Sequence, residues 1–279
     1  MTTILQISDT HLSPRTPLFR RNLALLGTWA ATARPDLIVV TGDLSLDGAD
    51  RDADLEFAAG LLRALPAPLL VLPGNHDVGS DPRTMPTQPV DAARLARFRR
   101  LAGADMWAQD LPGWRLVGLN TEIMGTDLAE EAAQAGFIAD VAAGIGDRRL
   151  VVFLHTPAFT SAPDDPAFDY WSVAPEARAA LRPLLHHPGL RLVGSGHLHL
   201  HHQFARGAVR YAWAPPVSFL CEPETQPGLP GERLPGALLH RLGVDAAETA
   251  LVSPAGIEHH WLAAVRPETY PRRDEDASA

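Results

Sequence analysis

Short apolar runs alternate with longer segments of helical spacing along most of this chain. The runs hold few polar residues, which is typical of strands that are covered on both faces. Predicted strands lie at 4–7, 37–40, 69–72, 114–119, 149–154, 190–194 and 209–213. Predicted helices lie at 22–33, 52–65, 90–101, 129–143 and 175–186. This alternation predicts parallel strands in a layered α/β fold.

The pattern changes after residue 213. Prolines and glycines dominate 214–236, which predicts a long surface loop. Two further apolar runs, at 237–241 and 259–264, are interpreted as closing strands. Because no internal repeat or linker interrupts the chain, we predict one domain over residues 1–265. The charged stretch at 266–279 is predicted to be a disordered tail.

Polar residues with metal-ligand chemistry follow five of the predicted strands. They are Asp9, His11, Asp43, Asn75, His155, His197 and His199. In parallel sheets the carboxyl ends of neighbouring strands meet at one edge, so these side chains can converge there. Carboxylate, amide and imidazole ligands without a thiolate suit Mn, Fe, Zn or Co, and seven ligands suffice for two divalent ions.

A centre of this kind predicts phosphoester hydrolysis. Two divalent ions outweigh the charge of Asp9 and Asp43, so the site stays positive and attracts a phosphate ester. Metals about 3.5–4 Å apart can hold a bridging hydroxide that attacks phosphorus. His76 follows the ligand Asn75 and is the candidate acid for the leaving group, acting from outside the metal sphere. Asp77 is expected to orient the other ring nitrogen of His76.

Composition narrows the partners and the compartment. The net charge is −9, and nucleic acid is an unlikely partner because such binding depends on neutralising phosphates. The first strand candidate already starts at residues 3–4 and leads straight into Asp9, which argues against a signal peptide, and no apolar run is long enough to cross a membrane. The single cysteine, Cys221, fits a reducing compartment. We therefore expect a cytoplasmic protein.

With these motifs, the chain resembles the calcineurin-like metallophosphoesterase superfamily from about Ile4 to His199. The resemblance implies a four-layer αββα sandwich with mixed central sheets. It also implies a first metal held by Asp9, His11, Asp43 and His199. The second metal would be held by Asp43, Asn75, His155 and His197. By the same resemblance, His76 is the outer-sphere acid.

The stretches at 6–12, 41–44 and 73–77 are most similar to bacterial class III cyclic-nucleotide phosphodiesterases and related glycerophosphodiesterases. These relatives usually carry a second histidine where this chain has Thr156, which bears on contacts near the substrate. The resemblance implies hydrolysis of small phosphodiesters such as 3′,5′-cyclic nucleotides. Such relatives often form dimers, so a homodimer is a further expectation.

Other functions stay open at this point. A glycerophosphodiesterase or a broad phosphomonoesterase would use the same metal ligands, because the metals act on the phosphoryl group. A nuclease is disfavoured by the acidic charge. A metal-free binding scaffold would have lost some of the seven ligands. Among other residues, Tyr170 and Trp171 are expected to anchor their loop more than to stack on a base, and His240 is expected to be structural.

Overall fold

Two mixed β-sheets packed face to face form the centre of the computed structural model, which describes residues 1–270. The strands are β1 Thr2–Ile7, β2 Leu37–Thr41, β3 Leu69–Leu72, β4 Trp107–Leu111, β5 Trp114–Gly118, β6 Arg149–Phe153, β7 Leu190–Ser195, β8 His202–Arg206, β9 Val209–Trp213, β10 Phe219–Leu220, β11 Ala237–Leu242, β12 Ala247–Val252 and β13 His260–Trp261. The α-helices are α1 Arg20–Ala33, α2 Asp52–Arg63, α3 Asn75–Val78, α4 Ala92–Leu101, α5 Ala129–Ala143, α6 Arg182–Leu185 and α7 Leu262–Thr269.

Both sheets mix parallel and antiparallel pairing: the first is antiparallel on its β11–β12 side only, and the second at both edges. The first sheet has the order β12-β11-β1-β2-β3, in which β1, β2 and β3 are parallel. The second has the order β4-β5-β6-β7-β9-β8, with parallel pairing from β5 through β9. A separate parallel pair joins β10 to β13, the strand that directly precedes α7. The carboxyl ends of β1, β2, β3, β6 and β7 are therefore free to present side chains.

Apolar runs without alternation arise because both faces of the central strands are covered. In β2, Ile38 and Val40 pack in the core beneath the helices, while Leu37 and Val39 pack in the core between the sheets. The side chains of β6 also alternate between two cores, and Val151 faces the first sheet. The pleat of a strand sends successive side chains to opposite faces, so each strand serves two cores. The predicted four-layer αββα sandwich is confirmed.

The structure corrects several predicted elements. The edge strand β4 was missed because three of its five residues are exposed, so it lacks an apolar run. The predicted helix at 175–186 is a 3₁₀ turn followed by the short α6. The predicted strand at 259–264 is only β13, and α7 begins at Leu262.

The predicted tail also differs from the structure. It was placed at 266–279, whereas α7 continues to Thr269, which is 2 % exposed. Residues 271–279 lie outside the described part of the chain. Within residues 1–270, every helix is too short or too polar to cross a bilayer.

The loop predicted at 214–236 is not wholly on the surface. Val217 and Ser218 are fully buried, and their N–H groups donate to the carbonyls of Ser8 and Asp9. This loop therefore packs against the turn that follows β1.

His240 is a structural residue of the core, as expected from the sequence. Its Nε2 lies 2.9 Å from Gln6 Oε1 and its Nδ1 lies 2.9 Å from Thr249 Oγ1. The amide nitrogen of Gln6 in turn donates to the carbonyl of Ser195 in the other sheet. Burial, with a smaller effect from Arg210, lowers the pKa of His240 to about 3.

This pKa predicts a loss of stability in acid. A histidine has an unfolded pKa of about 6.5, so the contribution of neutral His240 is complete above that pH and is lost as pH falls toward 3. Uptake of one proton on unfolding changes the free energy of unfolding by roughly 1.4 kcal/mol per pH unit. Urea unfolding of His240→Gln, with chelator present, should show a shallower slope than wild type between pH 7 and pH 5. The exposed His259→Gln is the matched control, and an unchanged slope in His240→Gln would contradict the assignment.

Candidate metal centre

The seven side chains predicted as ligands converge at the carboxyl ends of five strands. Two groups of donor atoms each lie within 4.8 Å of one another. The first group contains Asp9, His11, Asp43 and His199. The second contains Asp43, His155 and His197. These are the two sets implied by the resemblance, apart from Asn75.

Asp43 stands between the two groups. Its Oδ2 lies 3.5 Å from His11 Nε2 and 3.4 Å from His155 Nε2. Its Oδ1 accepts a hydrogen bond from the backbone N–H of His76 at 2.8 Å. One carboxylate oxygen is thus held by the protein, and the other faces both groups.

Asn75 completes the second group through its side-chain oxygen. Asn75 Oδ1 lies 3.1 Å from His155 Nε2 and 3.0 Å from His197 Nδ1. The amide nitrogen of Asn75 donates to the hydroxyl of Tyr170 at 3.0 Å, which fixes the orientation of the amide. The neutral oxygen is therefore directed toward the same point as the two imidazoles.

Backbone strain is concentrated at this centre. Five of the seven residues have positive φ angles: Asp9 (53°), His11 (43°), Asp43 (49°), His197 (70°) and His199 (52°). Each such residue costs about 1–3 kcal/mol, and such costs cluster at functional sites. The strain turns the side chains inward just beyond the strand ends.

The glycines of the motifs give the backbone room for this approach. Gly42 has φ 87°, and a side chain there would collide with the ring of His155. A side chain at Gly74 would collide with the Asp43 carboxylate. The Gly-Asp and Gly-Asn pairs in the sequence therefore reflect packing between the strand ends.

Three of the four histidines predicted as ligands donate one ring N–H to a backbone carbonyl. The pairs are His155 Nδ1 to Thr41 O at 2.8 Å, His197 Nε2 to Tyr170 O at 2.9 Å and His199 Nδ1 to Phe219 O at 2.5 Å. This fixes each tautomer and leaves a lone pair on the nitrogen that faces the carboxylates, as in metal-binding histidines generally.

The electrostatics of the centre favour a cation. Burial lowers the pKa of His11 well below its usual value and that of His197 to about 3, which favours the neutral rings that a metal ion needs as ligands. For His155, burial is outweighed by the Asp43 carboxylate, which raises its pKa to about 10. The carboxylate thus draws positive charge into the site, and a divalent ion can take the place of that proton. Buried carboxylates facing imidazole lone pairs fit divalent metal ions.

His76 lies where the sequence predicted, but Asp77 does not have the predicted role. His76 lines the cleft beside the donor groups, as expected of an acid. The expectation that Asp77 orients His76 is wrong. Its carboxylate accepts from the N–H groups of Leu44, Ser45 and Gly74 and from the Ser45 hydroxyl. Asp77 therefore holds the turn that carries Asp43.

The partner of His76 is a residue that the sequence did not single out. The hydroxyl of Tyr270 lies 3.3 Å from His76 Nδ1 and 2.8 Å from His11 Nδ1. Tyr270 directly follows α7 and lines the cleft with Leu262 and Arg266. These three residues repeat every fourth position, which is the spacing of one helix face. That spacing is the signal in the sequence that could have found them.

Thr156 points away from the centre. Its hydroxyl donates to Glu122 Oε1 at 2.8 Å, and its N–H donates to Thr121 Oγ1 at 3.0 Å. The side chain is part of a buried polar cluster behind His155. Thr156, which replaces the usual second histidine, therefore belongs to the residues behind His155. The seven predicted donors stay together despite this replacement.

Comparison with known proteins agrees with this geometry. The family model described as calcineurin-like phosphoesterase matches residues 2–201. The human serine/threonine-protein phosphatase CPPED1 is 27% identical over 178 residues, which cover 60% of this chain and 54% of that protein. The chain thus spans about half the length of this curated relative.

Solved structures show the same fold. GAP50, the anchor in the inner membrane complex of Plasmodium, has a TM-score of 0.64 at 13% identity, covering 92% of this chain and 86% of that chain. A dimetal phosphatase from Danio rerio has a TM-score of 0.55 at 16% identity, covering 90% and 99%. At this identity the likeness concerns the fold alone.

The family match includes every predicted ligand, since the seven residues lie between Asp9 and His199. The matched family is described as calcineurin-like phosphoesterase, and the donors that the match covers form the two groups described above. This chain belongs to the calcineurin-like phosphoesterase family.

Proposed function

We propose that this protein is a dinuclear metallophosphodiesterase that acts on small phosphodiesters, with 3′,5′-cyclic nucleotides as the substrate class. The observation that carries the proposal is a small cleft of about 360 Å³ that opens directly onto the donor groups. A volume of this size suits a small molecule. The aromatic, apolar and cationic side chains that line the cleft suit the base and the phosphate of a nucleotide.

In the proposal, the first ion is held by Asp9, His11, Asp43 and His199, and the second by Asp43, Asn75, His155 and His197. When bound, two divalent ions neutralise phosphoryl charge and acidify water. The protein holds these ligands in place through the carbonyl contacts described above. Mn, Fe, Zn and Co all suit this donor set.

His76 is proposed as the acid for the leaving oxygen. It lines the cleft, and its backbone N–H is fixed to Asp43 Oδ1. Burial lowers the pKa of His76, which makes it a stronger acid once protonated. The negative charge of a bound diester favours that protonated form.

The cleft walls support a nucleotide over a simple alkyl diester. Trp171, Phe219 and Leu262 give the cleft aromatic and apolar surface on which a base can pack. Arg266 adds a cationic group for an anionic substrate. Tyr170 is committed to Asn75 and His197, so Trp171 is the aromatic residue of that loop proposed to contact a base.

A phosphomonoesterase is the second candidate, because the human relative is named a protein phosphatase. The metals act on the phosphoryl group, so the same donors would serve a monoester. Glycerophosphodiester hydrolysis is the other alternative. A cytoplasmic location and a homodimer also stay predictions.

The test is parallel hydrolysis of cyclic AMP, bis(p-nitrophenyl) phosphate, p-nitrophenyl phosphate, a glycerophosphodiester and a phosphoserine peptide. Protein reconstituted with Mn, Zn, Fe or Co is compared with chelated protein. We expect the diesters to be cleaved faster than the monoesters, with the highest kcat/KM for cyclic AMP, and no turnover after chelation.

The other outcomes separate the alternatives. Diester cleavage with cyclic AMP inert would move the substrate to another small diester. Preference for the phosphoserine peptide or p-nitrophenyl phosphate would replace the proposal by a phosphomonoesterase. No turnover with any metal would favour the metal-free scaffold.

A further inference from the structure

The hydroxyl of Tyr270 joins two histidines that have different roles in the proposed function. It lies 2.8 Å from Nδ1 of His11, a proposed metal ligand, and 3.3 Å from Nδ1 of His76, the proposed acid. The ring of Tyr270 is also 5.0 Å from that of His76 and 6.2 Å from that of Phe219. The phenol is therefore fixed on the wall of the centre.

His11 is the exception among the four ligand histidines. The other three donate their second ring N–H to a backbone carbonyl, whereas His11 has the hydroxyl of Tyr270 in that place. Nε2 of His11 faces His199 Nε2 at 3.3 Å and Asp43 Oδ2 at 3.5 Å, so Nε2 is the nitrogen available to an ion. Nδ1 then carries the hydrogen and donates it to Tyr270.

A hydroxyl in this position can donate a hydrogen bond as well as accept one, whereas a carbonyl can only accept. A phenolic oxygen can accept more than one hydrogen bond and also donate its own hydrogen. It can thus accept from His11 and still hold Nδ1 of His76, whether or not that nitrogen carries a hydrogen. Asp77, the sequence neighbour of His76, makes no such contact because its oxygens serve the turn that follows β2.

The position of α7 explains how Tyr270 reaches the centre. The parallel pairing of β10 with β13 places the start of α7 beside Phe219. Val265 of this helix packs with Phe19, Phe219 and Cys221, and Leu262 and Tyr270 pack against the same group. The helix is thus anchored by its own small core.

We propose that Tyr270 is a positioning residue that fixes both His11 and His76, so that Nε2 of His76 is the nitrogen presented to the substrate. This inference rests on the proposed function. In the step it supports, the Nε2–H bond of protonated His76 breaks and an O–H bond forms at the leaving oxygen. The ring is left neutral with its hydrogen on Nδ1, which donates to Tyr270, and solvent later returns a proton to Nε2.

The test compares Tyr270→Phe with wild type in the full chain. The variant keeps the ring and removes only the hydroxyl. Tyr211→Phe is the matched control, because Tyr211 is half-buried in β9 and stacks on Phe204 away from the centre. The readouts are zinc titration, ¹⁵N spectra of labelled histidines, thermal melting, and kcat and KM with two leaving groups.

We expect Tyr270→Phe to weaken binding of one zinc ion by about 10–100-fold, as found for residues that support metal ligands. The Nδ1 signals of His11 and His76 should shift. The kcat for cyclic AMP, an alkoxide leaving group, should fall roughly tenfold or more, with a smaller effect on bis(p-nitrophenyl) phosphate, whose leaving group needs no proton. Tyr211→Phe should resemble wild type in each readout.

Two outcomes would overturn the inference. One is unchanged zinc affinity and histidine spectra in Tyr270→Phe. The other is an equal loss with both leaving groups together with a lower melting temperature, which would assign Tyr270 a structural role only. If wild-type protein cleaves none of the esters, the proposed function fails, whereas zinc titration and the spectra still test the contacts of Tyr270.

Discussion

Replacing Asp43 by asparagine is expected to reduce phosphoester hydrolysis by at least ~10³-fold, a loss of the size seen when central catalytic groups are removed. Asp43 is the one residue common to both donor groups, and its Oδ2 faces His11 and His155 at 3.5 and 3.4 Å. Asparagine keeps the shape but removes the charge. Protein-bound metal, measured by elemental analysis, should fall below two ions per chain.

Asp47→Asn is the control for this substitution. Asp47 lies in the loop after β2 as well, but its carboxylate contacts Arg51 and Gln88. We expect this variant to keep its metal content and its turnover. Full activity of Asp43→Asn with two bound ions would refute the placement of Asp43 between the metals.

The second large effect is expected for His76→Ala. Turnover of cyclic AMP should fall by ~10²–10⁴-fold, the usual contribution of a general acid. Turnover of bis(p-nitrophenyl) phosphate should fall far less, because p-nitrophenolate leaves without protonation. The metal content should be unchanged, since His76 belongs to neither donor group.

The comparison residue for His76 is His202. It is half-buried at the start of β8 and lies 4.9 Å from the ring of Trp213, outside the centre. His202→Ala should turn over both substrates like wild type. If His76→Ala lost the same factor with both substrates, or lost nothing, the acid would have to be sought elsewhere.

The sequence was sufficient to find the seven candidate ligands because they come shortly after the ends of five predicted strands. A run such as 37–40 predicts a buried strand, and a polar residue shortly after it, here Asp43, then lies at the sheet edge whatever the rest of the chain does. The same local rule located Asp9, Asp43 and His155. The mixed αββα layers were found through the resemblance, and the antiparallel edge strands β4, β8 and β12 were missed because they alternate or are partly exposed.

The contacts of His76 were not predicted correctly. Asp77 was paired with His76 because they are adjacent in sequence, but successive side chains on a helical turn point about 100° apart. Tyr270 contacts His11 across 259 positions; the spacing of Leu262, Arg266 and Tyr270 indicates a shared helix face, but it does not indicate which residues that face contacts. Its helix was also obscured by an apolar run that resembled a strand.

The distribution of donors between the two sheets has a mechanical consequence. Asp9, Asp43 and Asn75 follow strands of the first sheet, while His155 and His197 follow strands of the second. Bound ions would therefore cross-link the two sheets at one edge of the sandwich. If one sheet slid over the other, the two sets of donors would separate before the core between the sheets came apart. Catalytic activity would therefore be more sensitive to the alignment of the two sheets than the free energy of unfolding is.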